Sequence, residues 1–533
     1  MIKSMLPKKT GTGDPARRIT DPEEITSSYG AYLMDESRFG FGCAEEIVFP
    51  ETEAQVCAVL QEMAQRRLPV TISGARTGIT SAAVPYGGVI MSMERMDRVL
   101  DILRERDGGW SVWVEPGVRL SDFHEQVETK HLPAPEVKLT PFREDPRTYI
   151  YPPDPTEETA LIGSTVATNA SGARSLRYGS TRNFVQALRV ALTNGEVLEL
   201  ERGKSPLSSD GRFRIIDTTG RETSFPPPGY ATPDANSTCG YFSRPGMDLI
   251  DLFIGSEGTL GVITAVRLKL VQKPGEILGA LSFFPEEDHA VSFAIEARQR
   301  LLPLCLEYFD SRSLDVLRRE EVPFSVPSGA GAAIFWEAAY DEDNIEEVYE
   351  AWETLLLAHG ASMDKTWSGL ERADWERLKA FRHAVPELIN RIIGQRKGKH
   401  REIHKVSTDM AVPDRHLRDM LEAYHRRLHA SGLEYVVFGH IGDNHLHVNI
   451  IPRDASQVSR AGDLVMSLAR TAVSLGGVVA AEHGIGKLKH ELVRIQYGDK
   501  GLREMARVKK ALDPPAILGR GNIVPEALLD STP

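Results

Sequence analysis

Hydrophobic and polar positions in the first half of the chain alternate in short runs that predict a mixed α/β region. Thr52 is placed to cap a helix, and Gln55 stands three residues later, as a capping box requires. Apolar residues then recur with helical spacing: Val56, Val59, Leu60 and Met63. A β-type run follows at residues 68–72. Strands and helices of this kind alternate, among many glycines, over about residues 47–273.

Beyond residue 273 the pattern changes to longer helices separated by strands. The predicted elements of this second part are helices at residues 344–358 and 415–430 and strands at residues 331–337 and 435–438. The tail begins with a predicted strand at residues 478–481 and ends in a helix and a Pro/Gly-rich finish.

These patterns predict an α+β fold made of several parts. The parts are an amino-terminal arm (1–40), a first α/β domain (41–274), a second α+β domain (275–475) and a carboxyl-terminal segment that completes the site (476–533). Residues 203–243, rich in Ser, Pro, Gly and Asp, are interpreted as an excursion within the first domain.

Length and composition agree with this division and exclude several protein classes. A chain of 533 residues is too long for one ordinary core. A net charge of −12 disfavours a general affinity for nucleic acid or anionic lipid. The four cysteines are scattered, at Cys43, Cys57, Cys239 and Cys305, so no iron–sulfur cluster is expected. With no signal peptide and no apolar run of membrane-spanning length, a cytoplasmic protein without an integral membrane segment is expected.

Three glycine-rich segments are the first candidates for ligand binding. Residues 73–80 follow the strand at 68–72, where exposed backbone amides can bind a pyrophosphate or simply form a tight turn. Residues 162–173 contain too few bulky side chains for a well-packed core helix, which favours the close approach of a flat ligand. Residues 254–263 carry Gly258 and Gly261 around a further turn. None of the three matches a nicotinamide-type Rossmann fingerprint or a P-loop.

A histidine cluster is the second candidate site. Residues 435–450 predict a β-hairpin joined by a Gly-Asp-Asn turn, in which His445, His447 and Asn449 share one face of the second strand. His440, at the end of the first strand, can meet either histidine. A further ligand is offered by Glu482, followed directly by His483. Converging imidazoles are the commonest metal-ligand arrangement, although each histidine taken alone is more often structural.

In their order along the chain, the three glycine-rich segments resemble the FAD-binding PCMH-type domain of the vanillyl-alcohol oxidase family. The resemblance implies that FAD is bound by Ser73, Gly74, Ala75, Arg76, Thr77, Gly78, Gly163, Ser164, Ala167, Thr168, Asn169, Gly172, Tyr178, Glu257, Gly258, Gly261 and Val262. Close relatives have an all-glycine core in the first loop, where Ala75 and Arg76 intervene here. Relatives with covalent FAD carry a histidine near this loop; none lies between Met1 and Asp122, so non-covalent FAD is expected.

The histidine segments resemble the metal site of the D-lactate, glycolate and D-2-hydroxyglutarate dehydrogenases of the same family. The resemblance implies that His440, His447 and Glu482 bind a divalent metal (zinc, iron or manganese) and that His483 is the catalytic base. Relatives commonly have Gly-Asp-Gly-Asn-Leu-His where residues 442–447 are Gly-Asp-Asn-His-Leu-His. His445 is therefore an additional ligand candidate.

Two basic residues fall where these enzymes bind the substrate carboxylate. Arg382 can hold a carboxylate with two hydrogen bonds, and Lys405 adds a point charge. D-2-hydroxyglutarate enzymes have a hydroxyl residue one turn after the arginine. Pro386 occupies that position here, which disfavours a substrate with a second carboxylate.

The resulting hypothesis is an FAD-dependent, metal-assisted dehydrogenase of a small D-2-hydroxy acid, D-lactate or glycolate. Its electrons go to an external acceptor: a cytochrome, an electron-transfer flavoprotein, a quinone or an iron–sulfur subunit, through which it could lie at a membrane surface. The oligomeric state is left open, a homodimer included. Three alternatives remain: a dehydrogenase of a larger 2-hydroxy acid, a non-redox flavoprotein like alkyl-glycerone-phosphate synthase, and a metal-dependent hydrolase.

Overall fold

The computed structural model describes residues 14–319, 325–369 and 372–531, so residues 1–13 of the expected arm lie outside the described part. The strands are β1 Arg17–Ile19, β2 Glu46–Phe49, β3 Val70–Ser73, β4 Val89–Ser92, β5 Val99–Arg104, β6 Trp110–Val114, β7 Tyr149–Ile150, β8 Val185–Ala191, β9 Val197–Glu201, β10 Phe213–Ile216, β11 Glu222–Phe225, β12 Val262–Lys269, β13 Val271–Gln272, β14 Glu276–Phe284, β15 Cys305–Phe309, β16 Ala332–Tyr340, β17 Trp367–Gly369, β18 Val406–Ser407, β19 Met410–Ala411, β20 Tyr435–His440 and β21 His445–Ile450. The helices are α1 Pro22–Ser28, α2 Glu53–Arg66, α3 Leu120–Glu128, α4 Glu136–Glu144, α5 Ile162–Ala167, α6 Ser175–Tyr178, α7 Ile250–Phe253, α8 Glu287–Arg300, α9 Ser311–Arg319, α10 Ile345–Ala358, α11 Arg372–Lys397, α12 Leu417–Ser431, α13 Ala455–Ser474, α14 His490–Leu512 and α15 Glu526–Ser531.

The first half of the chain is built on two sheets. A four-stranded sheet has the order β1-β2-β4-β3, so the expected amino-terminal arm contributes an edge strand. A five-stranded sheet has the order β5-β6-β12-β8-β9. The predicted helix at 52–63 is confirmed as α2: Thr52 Oγ1 accepts from the amide of Gln55, and the predicted stripe is buried. The segment 203–243 carries only the small hairpin β10–β11.

The second half is built on one eight-stranded sheet. Its order is β17-β14-β16-β15-β20-β21-β18, and β19 also pairs with β21. Helices α8, α10 and α11 pack against β14 or β16. The predicted strands at 331–337 and 435–438 and helices at 344–358 and 415–430 are confirmed as β16, β20, α10 and α12.

The mixture of helices and sheets confirms the predicted α+β architecture. The carboxyl-terminal segment packs against the first half of the chain. Leu518 forms a parallel bridge with Val70 of β3 and lies in the same apolar cluster as α2. The Lys509 ammonium, fully buried, donates to the carbonyl oxygens of Thr259 and Leu518 and pairs with Asp513 at 2.8 Å. One buried cation thus links α14 to the glycine-rich turn before β12. Among the helices of the described residues, none combines the length and hydropathy that a membrane crossing requires.

Two local predictions are wrong. Residues 162–173 do contain a packed helix, α5, because Ile162 and Val166 bury the same face and Gly163 allows close contact with Pro116. The predicted strand at 478–481 is absent: only Val478 forms a bridge, with Ala411. Beyond Ala481, backbone amides donate to buried carboxylates and not to a neighbouring strand.

Substituting Lys509 should destabilise the fold. Lys509→Ala leaves Asp513 as an unpaired buried charge, and the expected loss is about 3–5 kcal/mol of unfolding free energy. The measurement is denaturant unfolding of the FAD-loaded protein, with the exposed neighbour Arg507→Ala as the control. Equal stability of the two variants would contradict this account of the carboxyl-terminal anchor.

Candidate active site

One cavity of about 1360 Å³ collects most of the predicted site residues on its walls. From the first half come Ser73, Gly74, Arg76, Thr77, Gly78, Gly163, Ser164, Ala167, Thr168, Glu257, Gly258, Gly261 and Val262. From the second half come Arg382, Lys405, His440, His447, Glu482 and His483. The glycine-rich loops therefore face the histidine cluster across a shared space.

Four predicted cofactor residues are not on the cavity wall: Ala75, Asn169, Gly172 and Tyr178. Asn169 is buried, and its side-chain oxygen accepts from Ser180 Oγ and the amide of Arg182, both at 3.0 Å. A Cβ at Gly172 would lie 2.1 Å from the carbonyl oxygen of Asp154, so this glycine permits a close backbone contact. Asn169 and Gly172 therefore stabilise the backbone of the glycine-rich segment 162–173 without lining the cavity.

The first loop has the features of an anion-binding turn. Within the described part of the chain, the backbone amides of residues 75–80 have no protein acceptor. Residues 76–79 of this set line the cavity, and several free amides there fit a pyrophosphate group. The Arg76 guanidinium points elsewhere, since it donates to the carbonyl oxygen of Gly74 and lies over the Tyr32 ring at 4.1 Å. The unusual arginine therefore leaves the loop's amides accessible.

The first and second loops contact each other at one glycine. A Cβ at Gly74 would lie 2.0 Å from Ser164 Oγ and 3.4 Å from Ser164 Cβ. The two loops can approach this closely only because Gly74 has no side chain.

Gly74→Ala is therefore expected to weaken both fold and FAD retention, at a cost of about 1–3 kcal/mol from overpacking. The double variant Gly74→Ala/Ser164→Ala removes the clashing oxygen and should recover most of the loss. Flavin content after gel filtration and the melting temperature are the measurements. An additive loss in the double variant would contradict direct packing of the two loops.

The third loop is tied to the segment that carries Glu482 and His483. Both oxygens of the buried Glu257 carboxylate accept hydrogen bonds at 2.7 Å, from the amides of Ile485 and Gly486. Gly486 has φ +52°, and a Cβ there would lie 2.0 Å from the carbonyl oxygen of Thr80. Glu257 thus fixes the segment that carries Glu482 and His483 against the glycine-rich loops.

The predicted hairpin is confirmed, and it brings the histidines together. In the β20–β21 register His440 pairs with His445 and Phe438 with His447. The cluster that could hold a metal ion consists of His440, His445, His447 and Glu482, whose ligand atoms all lie within 4.8 Å of one another. Three imidazoles and a carboxylate at this spacing are a donor set suited to a divalent transition metal.

Outer groups orient the cluster, and sequence reasoning missed them. Glu307 Oε1 lies 2.5 Å from His440 Nδ1, and the Thr408 carbonyl oxygen lies 3.4 Å from His447 Nδ1. Ser171 Oγ donates to Glu482 at 3.0 Å. Outer acceptors of this kind fix the ring orientation of metal-binding histidines. The sequence feature that could have indicated Glu307 is its position as an acidic residue inside the otherwise apolar run of β15.

Asp409, also missed, holds the segment that carries Glu482 and His483. Its carboxylate accepts from the amides of both residues at 3.1 Å and from Lys489 Nζ at 3.0 Å. It also lies 3.4 Å from His483 Nδ1. Burial, only partly opposed by this carboxylate, lowers the pKa of His483 to about 4. His483 is therefore neutral near pH 7 and able to accept a proton.

The two predicted carboxylate-binding residues also line the cavity. Although burial opposes ionisation, Glu307 and other nearby acids raise the pKa of Arg382 further above its ordinary value. No carboxylate among the described residues lies within ion-pair distance of its guanidinium. Lys405 Nζ donates to Asn390 at 3.1 Å, and burial lowers the pKa of Lys405. Both cations are placed to meet an anionic ligand.

Comparison with family models divides the chain into two matched parts. Residues 44–139 and 145–201 match the model of an FAD binding domain. Residues 273–523 match the model of the C-terminal domain of FAD linked oxidases. The first match includes two of the glycine-rich loops, 73–80 and 162–173, and the second includes the histidine cluster; the third loop, 254–263, lies between the matched ranges.

Curated relatives match the chain over nearly its whole length. It is 27% identical to D-lactate dehydrogenase of Anaerostipes hadrus (98% of this chain, 96% of the relative). It is 26% identical to glycolate oxidase subunit GlcD of Bacillus subtilis (95% of each) and to D-2-hydroxyglutarate dehydrogenase of Stutzerimonas stutzeri (96% of each). Among solved structures, an alkyldihydroxyacetonephosphate synthase has a TM-score of 0.57 at 15% identity, over 90% of this chain and 76% of that one. This last likeness concerns the fold alone.

Proposed function

The chain belongs to the FAD-linked oxidases, and from this premise we propose that it oxidises a small D-2-hydroxy acid to the 2-oxo acid. D-lactate and glycolate are the proposed substrates, and relatives named for both support this choice. The observation that carries the proposal is a single cavity with free loop amides on one wall and the His/Glu cluster on another.

The chain's own residues supply binding and proton transfer. Arg382 and Lys405 bind the substrate carboxylate by charge-assisted hydrogen bonds. His483 takes the proton of the C2 hydroxyl at Nε2, while Asp409 faces its Nδ1. The loop segments 73–78 and 163–169 would hold FAD without a covalent bond, and His440, His447 and Glu482 would hold a divalent metal: zinc, iron or manganese.

Bound FAD supplies an acceptor for the hydride of carbon 2, and a bound divalent metal supplies a Lewis acid for the hydroxyl oxygen. The two electrons must then leave the protein, because its four scattered cysteines offer no cluster site. The proposed acceptor is external: a cytochrome, an electron-transfer flavoprotein, a quinone or an iron–sulfur subunit.

Arg382→Met should weaken substrate binding. Loss of a charge-assisted hydrogen bond costs about 1.5–3 kcal/mol, or roughly a 10- to 150-fold rise in KM. Steady-state kinetics with an artificial electron acceptor provide the measurement. Lys379→Met, exposed one turn earlier on α11, is the matched control. An unchanged KM for Arg382→Met would remove this residue from the carboxylate site.

Anaerobic bleaching of the flavin tests the proposed reaction directly. The purified protein is mixed with D-lactate, L-lactate, glycolate and D-2-hydroxyglutarate, and the flavin absorbance is followed. Bleaching by D-lactate or glycolate, with L-lactate inert, is expected. Bleaching by L-lactate alone would overturn the stereochemical choice, and bleaching by D-2-hydroxyglutarate alone would replace the proposed substrates with a larger acid.

A further inference from the structure

His445 is the one histidine of the cluster that has no role in the proposed function. The side chain is 1% exposed, and its ligand atom lies within 4.8 Å of those of His440, His447 and Glu482. Its Nδ1 is 3.7 Å from Glu482 Oε1, and its ring centroid is 4.4 Å from that of His447. An imidazole has thus been placed directly among the residues proposed to bind the metal.

The three imidazoles of the cluster share one arrangement. Each has one ring nitrogen near an outer oxygen: His440 near Glu307, His447 near the Thr408 carbonyl, and His445 Nε2 at 3.2 Å from Asp409. The other nitrogen of each ring is left for the centre of the cluster. For His440 and His447 this is the orientation that outer acceptors impose on metal-binding histidines, whereas the Asp409 contact of His445 is a short distance without hydrogen-bond geometry. His445 turns its Nδ1 toward Glu482, whereas His440 turns its Nε2 toward the same carboxylate.

A purely structural role fits His445 poorly. Within the described residues, neither of its ring nitrogens has a hydrogen bond of acceptable geometry, including the one near Asp409. A buried polar group without such partners is unfavourable, and structural histidines in protein interiors are normally hydrogen-bonded. An ion at the centre of the cluster would satisfy Nδ1.

We propose that His445 is a fourth protein ligand, through Nδ1, of the divalent metal in the proposed function. The inference rests on that function, because the same ion is involved. Four protein ligands complete the tetrahedral shell that zinc prefers. With four protein ligands, zinc would have no open position for the substrate hydroxyl, whereas manganese or iron, which accept more ligands, would keep one.

Metal binding by variants of the full-length, FAD-loaded protein tests the assignment. The protein is stripped with a chelator and titrated with Mn²⁺ in competition with a metal-binding dye. His445→Asn, which keeps a polar side chain but removes the imidazole, should bind Mn²⁺ at least about 10–100-fold more weakly, the range seen when only an outer partner is lost. His440→Asn is the positive control, and the partly exposed His416→Asn is the negative control. Flavin content and melting temperature report on folding.

A second measurement needs no variant. Electron paramagnetic resonance of the Cu²⁺-loaded wild-type protein counts coordinated imidazole nitrogens, and three are expected. Two nitrogens, or Mn²⁺ affinity unchanged in His445→Asn but lost in His440→Asn, would overturn the role of His445 and leave the metal of the proposed function intact. Absence of metal binding by the wild-type protein would contradict both the role of His445 and the metal of the proposed function.

Discussion

Replacing His483 with alanine is expected to leave FAD bound and to lower turnover of the hydroxy acid by about 10²–10⁴-fold. The imidazole is held between Asp409 at Nδ1 and the stacked ring of His447, whose centroid is 5.3 Å away. Because burial lowers its pKa to about 4, the base is unprotonated at neutral pH and needs no prior deprotonation. Alanine offers no acceptor for the hydroxyl proton.

Stopped-flow measurement of flavin reduction separates this effect from release of product. The reduction rate should fall in His483→Ala while the flavin spectrum stays that of the wild-type protein. His429→Ala, exposed and outside the cavity, serves as the control. Flavin reduction at the wild-type rate in His483→Ala would show that another residue is the base.

Glu482→Gln is expected to have the second large effect, through loss of the metal. The carboxylate is the single anionic member of the cluster and accepts from Ser171. Although burial opposes ionisation, His440 and His445 hold the pKa of Glu482 well below its ordinary value, so it stays ionised at neutral pH. Removing its charge should release the ion, and loss of a Lewis acid worth roughly 3 kcal/mol lowers turnover about a hundredfold or more.

The matched control is Glu491→Gln, an exposed residue elsewhere on the cavity wall. Metal content by elemental analysis and turnover are measured in parallel. Dialysis of the wild-type protein against a chelator should reproduce the Glu482→Gln phenotype, and added metal should reverse it in the wild type only. Full activity of the chelator-treated protein would show that the cluster takes no part in the reaction.

Local patterns predicted those parts of the fold that depend on neighbouring residues. The buried stripe of α2 follows from helical spacing and a Thr52 cap, and the β20–β21 hairpin follows from two apolar runs around a turn. The pairing of His440 with His445 is then a consequence of strand geometry. Such features need no knowledge of the rest of the chain.

Contacts between distant segments could not be predicted in this way. Asp409 replaces a neighbouring strand as the acceptor for the amides of Glu482 and His483, 73 and 74 residues away. Within the apolar run 478–481, the amide of Val479 donates to the side chain of Gln496 and not to a neighbouring strand, so a strand does not form there. Glu307 reaches His440 from 133 residues away, which no local pattern records. The outer groups of the site were therefore visible only in three dimensions.

Anomalous diffraction from a crystal of the metal-loaded protein tests the central claim most directly. The account predicts one anomalous peak, within about 2.0–2.3 Å of imidazole nitrogens of His440 and His447 and of a Glu482 oxygen, on the wall of the cavity that holds FAD. A fully occupied metal site elsewhere in the protein, or flavin bound outside this cavity, would contradict the central claim.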